Sequence, residues 1–295
     1  MHVHLVDGTY ELFRHYFALP SHRTDDGSEV GAIRGVLGSV LSLIEGGATH
    51  VAVATDHVIE SFRNDLWDGY KDSSGIEAEI LEQFHPLEDA LRSMGVTVWG
   101  MVEYEADDAL GAAAVMVAAD DRVERVFICT PDKDLGQCVG GKIVQLDRRN
   151  GIVLDSVGIV EKFGVGPESI ADYLALVGDQ ADGFSGLPGW GAKSAGAVLA
   201  RYVHIEGIPL DSNEWDVKVR GAARLAATLA DNLELALLFR CIATIETRAP
   251  VVASVDELEW VGPTPGFLDL ARSIDAPGLS ERAERLARRS ANDSS

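Results

Sequence analysis

Asp179 and Asp182 follow at once on an apolar helical run that ends at Gly178, and a turn-dense segment (Gly183, Gly186, Pro188, Gly189, Gly191) comes next. A small-residue helix then begins near Ala192, with Lys193 and Ser194 in its first turn. Paired carboxylates at this spacing can hold a metal ion, while glycine turns and a helix N-terminus expose backbone N–H groups that suit a phosphate. Metal and phosphate handled a few residues apart point to an enzyme that works on a nucleic-acid backbone. The run of glycines before Lys-Ser is not a nucleotide-binding P-loop. That loop needs Gly directly before Lys and a strand before the glycines, whereas Ala192 precedes Lys193 and a helix precedes the turns.

More carboxylates sit where such chemistry could use them. The apolar run His2–Val6 ends in Asp7-Gly8, the β-branched run Val51–Thr55 ends on Asp56, and Arg125–Thr130 is followed by Asp132-Lys-Asp134. Each run reads as a buried strand with its carboxylate at the carboxyl end, where open α/β sheets collect ligands. Glu105-Ala-Asp-Asp108 opens an alanine-rich helix; acidic residues there also complement the helix dipole, so this group says little alone. Any one of these could be a cap or turn residue. Several converging on one edge of a sheet would repel one another unless a hard divalent cation offset them. The chain has no His/Cys cluster to suggest zinc.

The elements that must position these groups divide the chain. Strands at His2–Val6, Val51–Thr55, Val96–Trp99 and Arg125–Thr130 alternate with helices at Thr9–Leu19, Val30–Ile44 and Ile76–Met94, the last kinked or restarted at Pro86. Arg63 and Tyr70-Lys71 fall in a loop, and Asn150-Gly151 between two short apolar runs signals a hairpin. Alternation of this kind predicts an α/β fold, a mostly parallel sheet flanked by helices. Beyond Asp155 the pattern is almost wholly helical, with Ser156–Phe163, Pro167–Val177, Ala192–Tyr202 and helices between about Val217 and Ile242. The expected division is therefore 1–155, an α/β domain, and 156–295, a helical region.

Charge argues against nucleic acid at first sight. The net charge is −22, whereas a nucleic-acid binder gains affinity from a basic surface that releases counter-ions. Carboxylates that hold cations, or a local basic groove on an acidic body, would reverse that expectation. The N-terminus has neither a basic region nor an apolar core, so it is no signal peptide, and the longest apolar runs fall short of a membrane span. Cys129, Cys138 and Cys241 show neither metal spacing nor a disulfide framework. A cytoplasmic protein that acts as a monomer and has no membrane partner is expected.

The motifs in order are VDG (Asp7), TD (Asp56), FR…GYK (Phe62, Arg63, Gly69 to Lys71), YEADD (Tyr104 to Asp108), TPDKDLGQ (Thr130 to Gln137) and GDxxD…GLPGWGAKSA. Together they resemble the flap endonuclease/5′→3′ exonuclease family, in the bacterial and phage type that includes the 5′-nuclease domain of DNA polymerase I. The likeness runs from about Val3 to Leu237 and continues more weakly through ATIETRAP…EW. With no room left for a polymerase domain, a free-standing member is expected.

That resemblance implies a PIN-like nuclease fold with a helix-three-turn-helix in an all-α C-terminal region. It implies two divalent cations, Mg²⁺ or Mn²⁺, on Asp7, Asp56, Glu105, Asp107, Asp108, Asp132, Asp134, Asp179 and Asp182. Asp7, Asp56, Glu105, Asp107 and Asp132 would serve the ion that generates the nucleophile, and Asp134, Asp179 and Asp182 the second, with Asp108 serving either. Lys71 and Arg63 match basic residues that reach the scissile phosphodiester, and Tyr16 and Arg14 match the position beside the flap base. Gly189, Gly191, Lys193 and Ser194 would grip duplex phosphates, with K⁺ bound by loop carbonyls. The implied activity is a structure-specific 5′ nuclease, both exonuclease and flap endonuclease, acting in replication and repair. Its substrates would be DNA with 5′ flaps, nicks or ends, including strands that carry an RNA primer.

Two stretches depart from the family. After Lys71, where the resemblance implies an arch over the single strand, the chain continues Asp72-Ser73-Ser74-Gly75 and then Glu77 and Glu79, which is too acidic for a strong single-strand clamp. After Asp182, Gly183-Phe184-Ser185 replaces the more usual Asn-Ile-Pro, a change expected to shift the loop. Other readings are a non-catalytic DNA-junction binding module and a PIN-like ribonuclease; the complete acidic set opposes the first, and the glycine-turn segment the second. An aspartate-nucleophile phosphatase would need Asp-x-Asp after the first strand, where the chain has Asp7-Gly8-Thr9. The tail from Ser280 carries Arg282, Arg285, Arg288 and Arg289 and is expected to form a helix against DNA or the body that frays at its end.

Overall fold

A computed structural model describes residues 1–251 and 254–293, with side chains described as far as 289. In chain order the elements are β1 (His2–Asp7), α1 (Gly8–Ala18), α2 (Gly31–Glu45), β2 (His50–Asp56), α3 (Phe62–Leu66), α4 (Ala78–Ser93), β3 (Thr97–Met101), α5 (Ala106–Ala118) and β4 (Arg125–Cys129). They continue with β5 (Ile143–Asp147), β6 (Ile152–Leu154), α6 (Ser156–Phe163), α7 (Ile170–Val177), α8 (Ala192–Tyr202), α9 (Ala222–Asp231), α10 (Leu233–Ala243), α11 (Phe267–Ser273) and α12 (Pro277–Asp293). No helix among the described residues is long and apolar enough to cross a membrane.

Two compact units are interleaved along the chain. One comprises residues 1–59, 73–130 and 247–295, the other 60–72 and 131–246. The expectation of a single boundary after residue 155 follows chain order; the packing does not, because the segment with α3 joins the later helices and the last helices join the first strands.

In the first unit β3, β2, β1 and β4 lie side by side in that order, all parallel, with Val3 opposite both His50 and Val126. The strands form where β-branched residues run together: Val3, Val6, Val51, Val53, Val126 and Ile128 are almost wholly buried. α5 packs against all four strands and can do so because its alanines and Gly111 bury nearly its whole circumference. α1 and α4 contact β2, and α2 packs on α1 and α4. The strand order reverses between β1 and β4, and right-handed crossovers place α5 on the face opposite α1 and α4. Such a reversal opens a crevice at the carboxyl ends of the two strands. α4 continues through Pro86 as one helix, where the sequence suggests a kink or restart.

The tail belongs to this unit. On α12, Arg282 donates to both carboxylate oxygens of Glu45, to the Gly38 carbonyl and to Ser42 Oγ, which docks the helix on α2. The expected fraying concerns the very end of the chain, and residues 294 and 295 lie outside the described residues.

The second unit is helical apart from the β5–β6 hairpin, whose turn uses Gly151 at φ 65°. Its core gathers Leu174, Leu176, Phe184, Leu187, Val198, Leu199, Leu229 and Phe239 from α7 to α10 and the turns between them. α3, a five-residue helix within the expected loop, is held by a capping box. The Ser61 side chain accepts from backbone N–H groups in the first turn, Arg63 among them, and Asn64 Oδ1 accepts from the Ser61 N–H.

Candidate metal centre

In the first unit the carboxylates sit at the carboxyl edge of the parallel sheet. Asp7 ends β1 and caps α1: one oxygen accepts the Tyr10 N–H at 2.8 Å, and the other accepts the Thr130 hydroxyl, just past β4, at 2.9 Å. The two ends of the strand reversal are thus joined through a candidate ligand. Asp56 ends β2 and accepts the Ala106 N–H at 2.7 Å, which fixes the start of α5 beside that strand. Glu105 is the N-cap of α5, and fully buried Asp108 reaches back to accept the Glu105 N–H at 3.0 Å. Asp107 lies in the same first turn and is partly exposed. A helix N-terminus tolerates this density of negative charge because its unpaired N–H groups carry partial positive charge.

In the second unit Asp134, Asp179 and Asp182 come together, with one oxygen from each lying within 4.8 Å of the others. The Asp132–Asp134 segment is shaped by its own side chains. Asp132 Oδ1 accepts the Asp134 N–H at 3.0 Å, and Gln145 on β5 donates to the Asp132 carbonyl. Gln137 donates to the carbonyls of Asp134 and Ala243, which ties this turn to the end of α10. Asp179 and Phe184 form a two-way backbone bridge, and the Asp179 side chain accepts the Ala181 N–H at 3.1 Å. Asp132 remains exposed.

Asp134 is a carboxylate under electrostatic load. Burial, and then the charges of Asp132, Asp182 and Asp179, push its pKa well above 3.8, with Lys133 pulling the other way. Its Oδ1 is buried without a hydrogen-bond partner, although a lone pair in that setting ordinarily finds one. A buried oxygen with no donor, beside two more carboxylates, is the donor set that a hard divalent cation takes. The residues fit such an ion.

Two lysines stand in this group. The Lys71 ammonium lies 3.0 Å from Asp182 Oδ1, and the Lys133 ammonium hydrogen-bonds Asp179 Oδ2. Burial alone would lower the Lys133 pKa; Asp134, Asp179 and Asp132 outweigh it and raise the pKa above its ordinary value. Arg63 is placed differently. Only 2 % exposed, it donates to the carbonyls of Ile242 and Thr244 at 2.8 Å each, which anchors α3 to the end of α10. Asn64 of the same helix donates to the Lys71 carbonyl at 3.0 Å, so this anchoring reaches the lysine.

The departure at Gly183-Phe184-Ser185 has a steric cause. Gly183 has φ 81°, and a Cβ there would fall 1.9 Å from the Gly69 carbonyl oxygen. Phe184 is buried in the helical core against Phe239. Gly178 and Gly186 also approach closely, since a Cβ on Gly186 would meet the Gly178 nitrogen at 2.4 Å. The carboxylate loop is therefore held by backbone packing.

Further along, Gly191 caps α8 through its own carbonyl and N–H, both bonded to Ser194 Oγ, so that hydroxyl serves the helix end. A surface basin of about 540 Å³ opens here, lined by Gly189, Gly191, Lys193, Ser194, Lys218 and Arg220 among others. Lys218 and Arg220, in the stretch before α9, escape the sequence reading because nothing in their spacing ties them to the glycine turns. Lys133 escapes it for another reason: flanking carboxylates draw attention away from the lysine between them.

Tyr16 and Arg14 are occupied within the first unit. The Tyr16 hydroxyl donates to Glu77 at 2.9 Å and to Glu79 at 3.4 Å, and hydrogen bonding to Glu77 leads the causes that push its pKa up to about 12. Arg23 pairs with Glu79. Arg14 lies 2.6 Å from the buried carboxylate of Glu11.

Comparison with known proteins accords with this arrangement. Residues 2–164 match the 5′-3′ exonuclease N-terminal resolvase-like domain, and residues 165–265 match the 5′-3′ exonuclease C-terminal SAM fold. The DNA polymerase I of Pseudomonas aeruginosa is 37% identical over 264 residues, covering 86% of this chain and 28% of the polymerase. The chain spans about a quarter to a third of the length of several such polymerases. A 5′-3′ exonuclease of Buchnera aphidicola subsp. Baizongia pistaciae is 30% identical over 265 residues, covering 88% of this chain and 86% of that protein. Among solved structures, the T5 5′-exonuclease with bound zinc aligns at a TM-score of 0.67 and 16% identity, over 98% of this chain and 99% of that one. The catalytic core of Rad2 with DNA substrate aligns at 0.59 and 16%, over 96% and 90%. Two family models that together account for most of the sequence, over the fold seen here, place this chain in the 5′-3′ exonuclease family.

Proposed function

We propose that this chain is a metal-dependent 5′ nuclease that hydrolyses DNA phosphodiesters at 5′ flaps, nicks and ends, leaving a 5′ phosphate and a 3′ hydroxyl. The observation that carries the reading is Asp134: a buried carboxylate, its pKa raised and one oxygen without a donor, grouped with Asp179 and Asp182. Mg²⁺ or Mn²⁺ is the proposed cofactor, held in the first unit by Asp7, Asp56, Glu105, Asp107 and Asp108, and in the second by Asp134, Asp179 and Asp182 with Asp132. When bound, such ions lower the pKa of water and offset charge on the leaving oxygen.

The chain's own residues do the rest. Lys71 brings a movable positive charge to the carboxylates for use by a bound phosphodiester. Arg63 acts by position, fixing α3 and through Asn64 the backbone of Lys71. Lys193, Lys218 and Arg220, with the N–H groups at the start of α8, grip duplex phosphates, a contact indifferent to sequence. They form the local basic surface that an acidic nuclease requires, and K⁺ on the glycine-turn carbonyls would add to it. Strands that begin in an RNA primer suit the same backbone contacts. We place the enzyme in the cytoplasm as a monomer.

The test is cleavage of end-labelled DNA bearing a 5′ flap, a nick or no duplex at all, in Mg²⁺, Mn²⁺ or EDTA, by wild type and Asp134→Asn. Metal-dependent cutting near the flap junction that the substitution removes supports the reading. Tight binding to branched DNA with no cutting in either metal would replace it with a junction-binding module.

A further inference from the structure

Lys133 lies between two candidate ligands in sequence and between two in space. Its ammonium bonds Asp179 Oδ2 and stands 3.9 Å from Asp134 Oδ1. With Asp182 paired to Lys71, each of the three clustered carboxylates has an ammonium as neighbour. The fit at Asp134 is incomplete. At 3.9 Å the ammonium is beyond hydrogen-bonding range, and Oδ1 has no other donor. A divalent cation would take an oxygen from all three at roughly 2.0–2.6 Å, and an ammonium on Asp179 Oδ2 would then face a doubly charged ion a few ångströms away. The Lys133 side chain is 36% exposed, against 7% and 9% for Asp179 and Asp134. Its flexible four-carbon stem can therefore carry the charge out to water.

We propose that Lys133 is the resident counter-ion of this carboxylate group and leaves Asp179 when a divalent cation enters. This rests on the reading that Asp134, Asp179 and Asp182 hold such a cation. Cation binding here is then an exchange of one positive group for another. Lys133 keeps the carboxylates gathered while the cation is away, and it weakens the cation's hold by competing for Asp179. It is a positioning residue, and it sets how much free metal the enzyme needs.

The experiment titrates Mn²⁺ alone, without DNA, into the full chain and counts free ion by electron paramagnetic resonance. Asp134→Asn identifies which binding step belongs to this group. Lys133→Met should bind Mn²⁺ at the Asp134-dependent step roughly tenfold tighter than wild type, since a charge-assisted hydrogen bond no longer has to be broken. Its melting temperature should be lower than wild type in EDTA and equal to it in saturating Mn²⁺. Lys133→Arg, which keeps the charge, should retain the weaker affinity. If Lys133→Met does not fold in EDTA, Lys133→Gln prepared in Mn²⁺ gives the same comparison by chelator competition. Unchanged or weaker affinity at that step overturns the exchange while leaving the metal reading intact. Absence of any Asp134-dependent Mn²⁺ binding in wild type and variant alike overturns both.

Discussion

Lys71 and Asp182 are joined twice: the Lys71 backbone N–H donates to the Asp182 carbonyl at 3.2 Å, and the Lys71 ammonium lies 3.0 Å from the Asp182 carboxylate. The backbone bond holds the lysine's stem in place and the ion pair holds its charged end at the carboxylate. Replacing Lys71 with Ala should lower kcat on a flap substrate by roughly 10²–10³, the usual effect of removing one charge-stabilising donor. Single-turnover cleavage with metal in excess checks this; the apparent affinity for duplex DNA should change little.

Asp134→Asn should abolish cleavage and at the same time stabilise the metal-free protein, because it removes a buried charge among like charges. The pKa of Asp134 is raised in the fold, so the proton is held more tightly there than in the unfolded chain. The cost of ionising it is felt at neutral pH and relieved as pH falls through the raised value towards 3.8. Thermal melting in EDTA, with the pH lowered from neutrality towards 3.8, should show wild type gaining on Asp134→Asn.

Glu77→Gln with Glu79→Gln should strengthen binding of a single-stranded 5′ segment. These carboxylates occupy the Tyr16 hydroxyl and Arg23, and they repel phosphate. The gain should be larger at low salt, where such repulsion is least screened. Fluorescence anisotropy on single-stranded and flapped DNA, at two salt concentrations, measures it.

Lys218→Ala with Arg220→Ala should weaken duplex binding about equally for all sequences and reduce the slope of log K against log salt by about two. An unchanged slope would remove these residues from the duplex contact. Cleavage at saturating enzyme should be preserved, since neither residue adjoins a candidate metal ligand.

Gly183→Ala should destabilise by roughly 2–4 kcal/mol, the range for a strained φ combined with overpacking. Its φ is positive, and the added carbon would strike the Gly69 carbonyl. A urea melt of the metal-free protein gives the number, and unaltered stability would show that the two loops part more readily than this contact implies.

The strands and their terminal carboxylates were legible because β-branched runs ending in Asp have few other readings, and β1, β2 and β4 formed where expected. The short helix α3 was not, since its support is remote: Arg63 bonds to carbonyls at Ile242 and Thr244, far along the chain. For the same reason Arg63 reads as an open basic residue in the sequence and proves to be a buried anchor. The interleaving of the two units was hidden too, because local periodicity does not reveal which distant segment a helix packs against. Gly183-Phe184-Ser185 reads in the sequence only as a change that would shift the loop; the approach of Gly69 explains the glycine and the helical core explains the phenylalanine.

Asp7 holds α1 and Thr130, Asp56 holds the start of α5, and Asp108 closes the cap of that helix. A lineage that gave up catalysis would still have reason to keep them, so their survival in a distant relative testifies to the fold alone. Asp134 Oδ1 has no such second employment, and its charge is a burden without a cation. Once selection for the cation lapses, that position should drift first. Loss of the carboxylate at this position is therefore the change expected to accompany loss of catalysis.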